Sequence, residues 1–200
     1  MYTALKWLGG HSMAAAGWCY LAITLIITFD IVARRLLGFS TEATTELTGY
    51  LMAIGMSWGL AGTLLERGHV RIDVLVQRLP LGVRVWLHLA SLLALLVATS
   101  FFVYGACSLA LDSLDFGSTD LSSLGMPMAI PQGLWAAGFI LFLLTVSALA
   151  FRAIAQLLRG EAQQMDEELM ARGYIEEAAE TLEALANVPR GDAITKGATR

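Results

Sequence analysis

The chain has 200 residues, 56% of them hydrophobic and only 15% charged, with a formal net charge of −4. A soluble domain carries about 25% charged residues, so this composition excludes an ordinary soluble domain and places the chain in a lipid bilayer. The acidic balance says little about partners, because residues 161–200 hold nine acids against four bases while residues 1–160 hold nine bases against eight acids; no nucleic-acid partner is expected.

From Trp7 to Phe29 there is no formally charged side chain, and the run closes on Asp30, Arg34 and Arg35. This predicts a first span over about residues 10–33. Lys6 ahead of an apolar run invites a signal-peptide reading, but Ala14, Ala15 and Ala16 precede the apolar core instead of following it as a cleavage site does, so the segment is read as retained. Asp30 and Arg34 are four apart with the acid first, the favourable order for a pair on one helix face. The connection LLGFSTEATTE supplies turn and capping residues, and its shortness makes the first two spans antiparallel neighbours.

The second span, about 46–66, contains nineteen residues from Leu47 to Leu65 without Asp, Glu, Lys or Arg. As a helix they rise about 28 Å, close to the ~30 Å hydrocarbon thickness of a bilayer. The span ends in Glu66, Arg67, His69, Arg71 and Asp73. Ala53, Ser57 and Ala61 fall at four-residue spacing, with Gly55 and Gly59 as a second small pair, and such spacing lets helix backbones approach closely in lipid.

Another uncharged run, Val85 to Leu111, predicts a third span over about 84–111, with Trp86 at its interfacial end. The loop that follows carries Asp112, Asp115 and Asp120 and no Lys or Arg. Pro127 and Pro131 mark the opening of a fourth span over about 127–152, because proline is tolerated in a first turn but costs ~3 kcal/mol in a helix interior. If the N-terminus is cytoplasmic, that side receives Lys6, Arg67, Arg71, Arg78, Arg84, Arg152 and Arg159, against Arg34 and Arg35 opposite. The positive-inside rule then sets both termini in the cytoplasm. The expected fold is an all-α membrane protein with a four-span domain, 1–160, and an acidic cytoplasmic tail, 161–200. That tail is read as a solvated amphipathic helix to about residue 187, with a helix that docks a partner as the alternative, and as disordered beyond.

Little here points to chemistry. Cys19 and Cys107 sit in apolar runs as small hydrophobes. His11, His69 and His88 are not placed at mid-span, as paired haem ligands would be, and no carboxylate lies in the middle of a span, as an ion path requires. No catalytic, metal or cofactor site is expected. The charges at the ends of the first two spans either anchor helices at the interface or, with Arg34 reaching Glu46 across the short loop, fix the first hairpin.

FDIVARR closing the first span, TTEL opening the second and ERGHVRIDVL after it resemble the small membrane subunit of tripartite ATP-independent periplasmic (TRAP) transporters. The family pattern of Asp and Arg four apart, a carboxylate opening the second helix, and Gly-His-x-x-x-Asp before an aliphatic run falls on Asp30, Arg34, Glu46, Gly68, His69 and Asp73. SSLGMPMAIPQG, with Pro127 and Pro131, is similar to the family's approach to its fourth helix. The resemblance spans roughly residues 10–155. It departs from the pattern at Arg35, where an aromatic is common, at Thr45, where a second acid is common, and in a first loop without proline.

The resemblance implies a scaffold in a bacterial inner membrane. Its partners are a large membrane subunit that carries an organic acid inward with sodium and a periplasmic substrate-binding protein, within the lipid bilayer. The residues expected to carry structure or partner contact are Asp30, Arg34, Glu46, Ala53, Ser57, Gly59, His69, Arg71, Asp73, Pro127 and Pro131. A membrane-anchored assembly or adaptor protein outside any transporter is the alternative, and a stand-alone oligomeric transporter a third reading.

Overall fold

A computed structural model describes residues 2–39, 43–66, 79–122, 124–169 and 182–183. The named elements are all helices: α1 (Tyr2–Leu36), α2 (Thr44–Leu65), α3 (Leu81–Asp115), α4 (Ala129–Leu158) and α5 (Ala162–Leu169). α1, α3 and α4 outrun the expected spans, because backbone hydrogen bonding carries a helix past the point where its side chains stop being apolar. Within them, Trp7–Leu36, Leu81–Asp115 and Ala129–Leu158 are long and apolar enough to cross a membrane. α2 is not in that group, since its Gly, Ser and Thr residues dilute its hydropathy.

The long helices pack in the order α1, α2, α4, α3, with α5 against α3 and α4. Glycine sets the closeness of the first two seams. A Cβ at Gly62 would lie 2.9 Å from both Gly9 O and Met13 Cβ, and one at Gly55 3.2 Å from Cys19 Cβ, so α1 and α2 run antiparallel at close range. Tyr50 reaches Met128 and, two turns on, Trp58 reaches Leu134, so α2 and α4 run in the same direction. The α3–α4 seam uses bulk instead. Leu89, Leu92, Phe142 and Val146 are buried in one core, and Phe102 stacks on Phe139 with ring centroids 5.6 Å apart.

Two helices end in the same motif. Gly117 (φ +59°) and Gly160 (φ +76°) adopt the left-handed conformation that glycine takes without a Cβ penalty. After α3, Ser118 N–H donates to Ser113 O and Gly117 N–H to Leu114 O; after α4, Glu161 N–H donates to Gln156 O and Gly160 N–H to Leu157 O. The first turn delivers the chain into a tight loop, where Asp120 N–H donates to Met126 O and Met128 N–H to Ser118 O. Pro127 pairs with Thr119 in that loop, and Pro131 sits in the first turn of α4, which begins at Ala129 and not at Pro127.

The second turn folds α5 back onto the bundle. Over Ala162–Leu169 the tail is therefore docked on one face: Met165 is fully buried and Leu169 nearly so, one turn apart, while Gln163 and Gln164 are exposed. Of residues 171–200, 182 and 183 are described and are helical.

Candidate functional site

Among the described residues the formally charged side chains gather toward the ends of the helices. Asp30 lies eighteen residues, five full turns, beyond Ser12, and so shares the buried face of α1; it is only 4% exposed. Its carboxylate accepts a hydrogen bond from Arg34, whose side chain is 65% exposed. Arg34 therefore neutralises a buried acid while keeping its own head outside the helix seam.

This is the local pair expected from the four-residue spacing, and it needs no loop closure. Glu46, the partner anticipated across the first loop, keeps Oε2 buried without a hydrogen-bond partner among the described residues, as do Thr44 Oγ1 and Gln132 Oε1. His69, Arg71 and Asp73 lie outside the described residues.

Of the packing residues named from the sequence, Ser57 is fully buried and donates to Ile54 O in its own helix at 3.0 Å. Gly59 faces Ala16, whose Cβ lies 3.7 Å from where a Cβ would be, and Ala53 is half-buried. The tightest approach involves Gly138, which the sequence reading did not single out. A Cβ there would meet Ser57 Oγ at 2.3 Å and Trp58 Cδ1 at 2.8 Å, while Trp58 Nε1 donates to Leu134 O at 2.9 Å. A small residue in the fourth span opposite the small face of the second was the available signal.

A second missed cluster joins α3 to α5. Arg84 Nε donates to Asp166 Oδ1 at 2.6 Å and its terminal nitrogen pairs with Oδ2, while His88 Nε2 stands 3.4 Å from Oδ1. Asp166 is only 2% exposed, so burial and two basic neighbours occur together, as a buried carboxylate requires. On the opposite loop, Asp120 accepts from the Ser122 hydroxyl at 2.6 Å and the Ser122 N–H at 3.0 Å. The hydroxyl first and the amide second hold its pKa below the ordinary 3.8. Among the described residues no three His, Cys, Asp or Glu side chains converge as metal ligands do.

Long apolar helices, end-gathered charges and close small-residue seams define a helical protein integral to a membrane. Residues 23–160, more than half of the chain, match the family described as tripartite ATP-independent periplasmic transporters, DctQ component. The chain belongs to that family, the small permease component of these transporters. No curated protein and no solved structure matches it.

Proposed function

We propose that the chain is a non-catalytic scaffold in the bacterial inner membrane. It supports the large subunit during sodium-coupled uptake of an organic acid delivered by a periplasmic binding protein. α2 also crosses the membrane, as the second of four spans packed between α1 and α4, and both termini face the cytoplasm. Asp30 and Arg34 set the outer end of the first helix, the small residues of α2 set the packing, and Glu46, His69, Arg71, Asp73, Pro127 and Pro131 shape the helix ends and loops.

The observation that carries this reading is the placement of charge. Residues 7–29, 47–65, 85–111 and 121–151 contain no Asp, Glu, Lys or Arg, and intramembrane ionisable groups are the usual mark of an ion path. The interior at that depth is occupied by Leu92, Thr99, Thr145 and Val146, with both threonines buried. Thr145 donates to Leu141 O within its own helix and so offers no spare donor. The test is uptake into proteoliposomes. Organic-acid uptake appears when this chain is reconstituted with the large subunit, the binding protein and a sodium gradient; uptake by this chain alone overturns the scaffold reading.

A further inference from the structure

We propose that α5 is a releasable clasp on the end of the bundle where α3 begins and α4 ends. Three observations combine. The described residues of the helix bury two large apolar side chains, Met165 and Leu169, a small docking face beside the seams of the long helices. Its docking rests on Met165 and Leu169, which enter the core formed by Leu64 of α2, Val85 and Leu89 of α3 and Ala153 of α4. Its register is fixed by Asp166 on Arg84 and His88.

The buried pair specifies position more than it adds stability, because desolvation offsets most of the Coulomb gain. Removing Arg84 leaves Asp166 an uncompensated buried acid, which favours release. Gly160 supplies the pivot: its left-handed turn ends α4, and the space around its missing Cβ is open. The family match ends at residue 160, immediately before the clasp. Release uncovers the junction of α2, α3 and α4 and leaves the seams among the long helices in place. The inference does not depend on the transporter reading, since it concerns only contacts within the chain.

The test uses the full chain in detergent with Cys19→Ser and Cys107→Ser, labelled with a maleimide at single introduced cysteines. Met165→Cys and, independently, Leu169→Cys should react at least about tenfold more slowly than exposed Gln163→Cys, as expected for a site protected by docking. Adding Arg84→Ala should bring both to within about threefold of the exposed reference, with the thermal midpoint of the long helices retained. Exchanging the charges, Arg84→Asp with Asp166→Arg, should restore slow labelling. Fast labelling at both sites in the parent chain overturns the docked clasp. Slow labelling that survives Arg84→Ala overturns the role of the pair, and collapse of the long helices on Arg84→Ala overturns independent release.

Discussion

The two sides of the bundle are built on different physics. Around α2, close approach comes from what is missing: Gly62 beside Gly9 O, Gly55 beside Cys19, and Gly138 beside Ser57. Around α3 it comes from bulk, with Leu89, Leu92, Phe142 and Val146 interlocked and Met165 closing the end. Lipid tails are as apolar as leucine, so burying leucine at mid-membrane gains little from water exclusion; what remains is dispersion between well-fitted surfaces. Small residues gain it by bringing backbones together and large ones by interdigitating. Only at the aqueous end, where α5 docks, does ordinary hydrophobic burial add to the fit.

Truncating the bulky seam should have the largest effect. Phe142→Ala leaves a cavity beside Leu92 and Val146 and should cost about 3 kcal/mol, at the low end for such changes because lipid replaces water as the reference. A chemical-denaturation series in detergent measures it. Gly138→Ala adds one methyl where a Cβ already meets Ser57 Oγ at 2.3 Å, and should cost about 1–3 kcal/mol as overpacking. Ser57→Gly in the same chain should return part of that loss, the approach of Trp58 Cδ1 at 2.8 Å remaining. If Gly138→Ala proves harmless while Phe142→Ala is severe, close backbone approach is not what holds α2 to α4. Trp58→Phe keeps an aromatic ring but removes the pyrrole portion with its donor to Leu134 O, a loss of at least about 1 kcal/mol, the size of an interhelical hydrogen bond in lipid.

How much of this was legible follows the same divide. Uncharged runs showed the three longest apolar helices, because the bilayer imposes length on sequence directly. The four-residue spacing of Ala53, Ser57 and Ala61 pointed to α2 as a packing element. The acid-first spacing of Asp30 and Arg34 indicated their pair, whereas the longer reach from Arg34 to Glu46 had no periodicity behind it. What the sequence withheld was non-local. The order α1, α2, α4, α3 depends on which faces meet, and Gly138 gains meaning only opposite Ser57. Asp166 looked like one acid among nine in the tail until its partner, 82 residues earlier, was in place. The left-handed turn at Gly160 returns the chain to the bundle, which no local spacing announces.

The smallest effect belongs to the loop at the other end, which is held by hydrogen bonds and not by buried side chains. Ser122 holds the Asp120 carboxyl below its ordinary 3.8, so the ionised form is favoured in the folded loop. A depressed carboxylate contributes stability above its unfolded pKa and loses it as pH falls through the folded value. Asp120→Asn should therefore lower the thermal midpoint slightly at pH 7, and the gap from the parent should close as both are taken below pH 3.8. A gap that stays constant down to pH 3 means that the side chain acts through shape and not charge. The ion pair of Asp166 with Arg84 joins two helices, whereas protonation of Asp120 only loosens a turn already closed by the Asp120–Met126 and Ser118–Met128 backbone bonds.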